Sequence, residues 1–297
     1  RRMKSKHAAN TLVIHLAYIR TLRGLTRMFG SLDDFQFEEA QIERSFAHSS
    51  DLVNQEGVYW YRKLLARFIS GDYAAAVGAH SRIQRLLWSP PTEATNIEFQ
   101  FYVALSYSVY YDSAPASEKQ QHEEIVRAYH SQLQLWTVNC PENFQHRAAL
   151  AGAEIARIEN RDGEAMRLYE KAIRAANDNG FAHHEAIACE LAARFYASRD
   201  VDTISQACLR KARHCYMRWG ANGKVRQLDE MYPRLREEER ALAPTETIGT
   251  QADQLDLTTV IRTSQAVSSE IILEKLLETL MPTVIEHAGA ERGLLGG

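Results

Sequence analysis

Gly163-Glu-Ala-Met-Arg-Leu-Tyr-Glu-Lys-Ala-Ile173 is the stretch that decides the fold. Ala165, Tyr169 and Ala172 recur at steps of four and three, which places them on one face of an α-helix. The preceding stretch supplies Ala153 and Ala156 to a second helix, and Asn160-Arg-Asp-Gly163 between the two is a turn signal. Small side chains at such a crossing let two helix axes approach to about 8–10 Å. Tyr169 and Leu168 then reach the next hairpin, so each hairpin buries a face that it cannot bury alone.

Working outward, helical periodicity runs from Ala8 to Arg236, broken at short intervals by Gly30-Ser-Leu-Asp-Asp, Ser70-Gly-Asp, Ser89-Pro-Pro and Asn177-Asp-Asn-Gly. Intervals this short predict consecutive helices packed antiparallel. Trp60-Tyr-Arg-Lys-Leu64 and Gly71-Asp-Tyr73-Ala-Ala-Ala76, followed by His80 and Ile83, fit the tetratricopeptide pattern. Another copy aligns Ala193 and Tyr196, with Cys189, against Leu209 and Ala212. The step from Ala172 to Ala212 exceeds the usual unit of about 34 residues, which longer helices would explain. The expectation is an all-α protein: a tetratricopeptide-like α-solenoid of antiparallel helical hairpins over residues 1–236, a polar linker over 237–254 containing Pro244 and Gly249, and terminal helices over 255–297. In the last of these Leu273, Leu277, Leu280 and Val284 form one apolar stripe, interrupted at Pro282, which is a candidate seam for a homodimer.

Composition narrows the function. The 297 residues are 45% hydrophobic, enough for a sizeable core. A net charge of −3 from 35 basic and 38 acidic residues spread along the chain offers no field of one sign for nucleic acid or an acidic membrane. The four cysteines, Cys140, Cys189, Cys208 and Cys215, show no CxxC pairing, and no apolar run is long enough for membrane insertion. The basic start lacks the pattern of a signal peptide, so a cytoplasmic location is expected. With no initiator methionine and an abrupt end at Leu294-Leu-Gly-Gly, the chain reads as a piece of something longer.

Trp136-Thr-Val-Asn-Cys-Pro-Glu-Asn-Phe144, Tyr169-Glu-Lys-Ala-Ile, Asn179-Gly-Phe181, Glu190-Leu-Ala-Ala-Arg-Phe-Tyr196 and Tyr216-Met-Arg-Trp-Gly-Ala221 together resemble one family. These are the large bacterial proteins that join a serine/threonine-kinase-like domain, an ATPase domain, a tetratricopeptide-like region, a GAF domain and a sensor histidine kinase. Leu255-Asp-Leu-Thr-Thr-Val-Ile, Ser264-Gln-Ala-Val-Ser-Ser-Glu-Ile and Ala288-Gly-Ala-Glu-Arg-Gly-Leu-Leu295 look like the run from the linker into the first helix of a truncated GAF domain. The resemblance implies two-component signal transduction by a parent kinase that uses ATP and Mg²⁺ on other domains. A Gly-rich loop with an HRD-type loop, a GxxxxGK[ST] loop and a phosphoacceptor histidine are not expected in this chain, and neither are catalytic residues, cofactors or metal ligands.

Several residues invite sharper readings. Gly220-Ala-Asn-Gly-Lys224 looks like the end of a phosphate loop, but Val225 replaces the Ser or Thr and it reads as a helix-ending turn. His183, His184, Glu185 and Cys189 share a spacing that could hold a metal, yet read as ordinary buried helix residues. His214 and Cys215 beside Cys208 lack a third group to orient a base. Tyr102, Tyr107, Tyr110 and Tyr111 read as packing residues before they read as a groove. The expected function is a scaffold that receives a protein or intramolecular domain partner and passes the change to a GAF and kinase region. The alternative is a regulator that binds a ligand or peptide on the concave face of the array.

Overall fold

The computed structural model describes residues 2–46, 52–86, 88, 90 and 92–235. They fall in the first of two units into which the chain divides, Arg1–Glu238. The linker, the terminal helices and the stripe of Leu273, Leu277, Leu280 and Val284 lie outside the described residues. Among the described residues all regular structure is helical: α1 (Arg2–Leu22), α2 (Glu39–Phe46), α3 (Val53–Ser70), α4 (Tyr73–Gln84), α5 (Glu93–Tyr110), α6 (Ala116–Asn139), α7 (Pro141–Ile158), α8 (Asp162–Asp178), α9 (Ala182–Ala197), α10 (Asp202–Trp219) and α11 (Asn222–Met231). None of them is long and apolar enough to cross a membrane.

One turn design sets the metre. Asn160, Gly180, Asp200 and Gly220 all have positive φ, between 57° and 81°. At each, the residue's own N–H and the next one reach back into the helix just ended: Gly220 N bonds Met217 O at 3.0 Å and Ala221 N bonds Tyr216 O at 3.0 Å. This satisfies carbonyls that a helix end leaves unpaired, and the left-handed conformation favours Gly, with Asn and Asp next. Helices therefore start twenty residues apart, at Asp162, Ala182, Asp202 and Asn222. A hairpin takes forty residues, which is the Ala172-to-Ala212 step and longer than a tetratricopeptide unit of about 34. The same turn at Gly71 (φ 86°) ends α3, after which Asp72 caps α4 by accepting from Ala75 N.

Neighbours run antiparallel. Ser205 Oγ on α10 donates to Ala193 O on α9, and Lys211 pairs with Glu185 one end further on. Alternate helices run parallel: Tyr61 meets Phe99 and Phe68 meets Tyr102 between α3 and α5. This divides the helices into two layers. Helices α3, α5, α7 and α9 are buried on most sides, and α5 from Phe101 to Val109 without a break, whereas α4, α6, α8 and α10 bury one stripe each. Helix α1 packs on α3 and also on α11, so the first and last described helices meet.

Of the residues assigned to repeat packing, Trp60, Leu64, Ala76, Ala153, Ala165, Tyr169, Ala172, Ala193, Leu209 and Ala212 are buried. Tyr196 packs against the core from a partly exposed position. Tyr73 does more than fill the α3–α4 hairpin: its hydroxyl accepts from Arg194 Nη1 on α9 at 2.6 Å.

Candidate functional site

The parallel inner helices bring their N-terminal thirds to one place. Glu98 stands in the second turn of α5, His146 and Arg147 in the second turn of α7, and His183 and His184 in the first turn of α9. One donor atom from each of Glu98, His183 and His184 lies within 4.8 Å of the others. His146 Nε2 is 2.8 Å from His184 Nδ1, and the Tyr61 hydroxyl donates to Glu98 Oε2 at 3.4 Å. Aromatic rings wall the group in: Phe181 stacks on His146, Trp219 on His183, and Phe101 meets His184 edge-on.

Burial dominates the electrostatics. It lowers the pKa of His146 to about 3, helped by the Arg147 charge, and that of His183 to about 4. His184 is pushed well down by burial and then by His183, Arg147 and His146. All three rings are neutral at physiological pH. The His146 Nδ1, His184 Nε2 and Arg147 Nε atoms are buried without a hydrogen-bond partner. Most buried polar atoms have one, so these three are unusual.

The sequence grouped His183 and His184 with Glu185 and Cys189, and the fold separates the pairs. Glu185 turns to α10, where Lys211 Nζ lies 3.0 Å away. Cys189 is a buried packing residue whose thiol pKa burial raises. Burial also pushes Cys215 up to about 12 and Cys208 upward, the opposite of nucleophile activation. Gly220 ends α10 in the left-handed conformation, and Lys224 pairs with Glu190 at 2.6 Å, so the would-be phosphate loop is a turn. Tyr102 and Tyr107 are buried, with His80 Nδ1 3.0 Å from the Tyr107 hydroxyl, while Tyr110 and Tyr111 are partly exposed. Two His-Glu dipeptides do occur, at His122 and His184, in a chain expected to carry no phosphoacceptor. Both imidazoles are buried.

On the outside, α6 and α8 flank a groove of about 620 Å³ floored by Ala148, Ala149 and Gly152 of α7. Arg127 and Arg161 on its rim are paired with Glu159, and Arg161 also with Glu164, so the groove is polar without a strong charge of either sign. Helix α1 offers a different surface: Leu12, Leu16 and Ile19, at steps of four and three, are 61%, 48% and 49% exposed. No family model, curated protein or solved structure matches this chain.

Proposed function

We propose that this chain is a protein-interaction and signal-coupling scaffold, working within a multidomain sensor histidine kinase of the two-component type. The observation that carries the reading is the exposed apolar stripe of Leu12, Leu16 and Ile19 on a helix that is tied to the last described one. An apolar stripe at helical spacing buries itself against a protein partner, here another domain of the parent. Arg226 Nη2 on α11 donates to Gly24 O at 2.5 Å and to Arg23 O, and Gln227 Nε2 donates to Ser70 O at 2.7 Å. A partner that shifts α1 therefore acts on α11, which leads toward the C-terminal segment. Two discrete arrangements of such a junction are the physical content of coupling.

The test is made on the complete protein that carries this chain. The reading frame should encode kinase motifs on both sides. Leu16→Glu with Ile19→Glu, both exposed, should leave helicity unchanged and alter histidine autophosphorylation severalfold. A frame without kinase motifs, or phosphorylation indifferent to both substitutions, overturns the reading.

A further inference from the structure

We propose that Glu98, His183 and His184 bind one divalent first-row transition-metal ion of the zinc class, with His146 holding His184 in the ligating orientation. Two imidazoles and a carboxylate form a donor set that suits Zn²⁺ and its neighbours, and three protein ligands leave a position for water. The donors come from α5 and α9, alternate helices of the inner layer, and already lie within 4.8 Å of one another. Tetrahedral coordination at about 2.0–2.2 Å per bond sets donors roughly 3.3–3.6 Å apart, so closure needs a contraction on the order of 1 Å. Glu98 and His183 are both only partly buried, which leaves them room to turn and gives an ion a way in.

The second observation is independent of that spacing. His184 Nε2 is buried with no partner, although the ring's other nitrogen is engaged at 2.8 Å. If His184 Nδ1–H donates to His146 Nε2, the unpartnered Nε2 is a bare lone pair, which is the atom a metal takes. A ligating histidine commonly has its second nitrogen held in this way, and the holder fixes the tautomer. The neutral state that burial imposes on these rings is also the one that ligates. One charge opposes the ion: Arg147, whose guanidinium lies over the Phe144 and Phe181 rings. The Glu98 carboxylate is the anionic ligand that offsets it, so the carboxylate should matter more than its single bond suggests.

The experiment titrates metal-free protein with Zn²⁺ by calorimetry, follows Co²⁺ by its visible absorption, and records melting with and without metal. The expected result is one saturable equivalent, a tetrahedral-type Co²⁺ spectrum and a melting temperature that rises with free metal. Glu98→Gln and His183→Gln should each weaken binding by at least about a hundredfold, and His146→Phe, which keeps the stack on Phe181, by about ten- to a hundredfold. Metal-free melts of the variants serve as the folding control. Because the two ligand variants lie on different helices, either one that folds decides the matter. No saturable Zn²⁺ binding, or binding that persists unchanged in a folded Glu98→Gln or His183→Gln protein, as metal held by Cys189, Cys208 or Cys215 would, overturns the proposal.

Discussion

Lys224 Nζ lies 2.6 Å from Glu190 Oε1, and the second oxygen of the same carboxylate accepts the Tyr216 hydroxyl at 2.7 Å. Lys224 is 2% exposed, so its charge is sustained inside the protein by Glu190, with Gln227 Oε1 as a further acceptor at 3.1 Å. Removing one member of a buried pair strands the other, at a cost of about 3–5 kcal/mol, whereas removing both costs far less. Glu190→Ala should therefore lower stability by that amount in urea unfolding. Lys224→Met combined with Glu190→Gln should recover most of it. Equal losses in the single and double variants would mean that packing, not charge, is what the site supplies.

The junction of α1 and α11 makes a second prediction. A Cβ at Gly223 would sit 2.6 Å from Phe29 Cδ2 and 2.7 Å from the Thr21 carbonyl oxygen. Alanine normally favours a helix over glycine by up to about 1 kcal/mol. Here the added methyl meets backbone, which cannot swing aside, and overpacking of this kind costs about 1–3 kcal/mol. Gly223→Ala should come out destabilising, with faster amide exchange confined to α1 and α11. A stabilised protein would show that the two helices separate without cost.

The helices were legible because helical periodicity and end signals are local. Left-handed positions fall at Asn160, Gly180 and Gly220, inside stretches whose chemistry announces a turn, and also at Asp200, which no turn signal marked; Ala153, Ala165 and Ala172 are buried, as their helical spacing implies. The interior chemistry was not legible. Periodicity says which face of a helix is buried, but not what it meets. Nothing near His183 and His184 points to Glu98 on α5, and the nearer candidates Glu185 and Cys189 face other neighbours. The contact of α1 with α11 has the same character, since Arg226 and Gly24 are 202 positions apart and no local pattern in either segment points to the other.

Acid should destabilise the fold through His80. Its ring is 1% exposed, with Nδ1 3.0 Å from the Tyr107 hydroxyl on α5 and Nε2 3.4 Å from the Tyr129 hydroxyl on α6. Burial lowers its pKa from 6.5 to about 4. Between those values the unfolded chain holds a proton that the folded chain does not, so stability falls as pH falls from 6.5 and the loss is complete near 4. The full effect of this one residue is about 3 kcal/mol. Unfolding free energies measured across that window should slope less steeply in His80→Gln than in the wild type, and parallel slopes would mean that His80 titrates normally.

In the sequence, Leu273, Leu277, Leu280 and Val284 form an apolar stripe. Steps of four, three and four are those of a helix seam, and two such helices from two copies would bury the stripe in a bundle. The competing account is that the stripe covers the sheet of a GAF domain that continues past this chain, in which case it has no reason to select a second copy. The two differ in a measurement. If the stripe is a seam, the chain sediments as a dimer, and Leu277→Asp with Leu280→Asp returns it to monomer because each substitution buries an unpaired charge at the interface. A wild-type monomer, or a dimer indifferent to both aspartates, eliminates the seam.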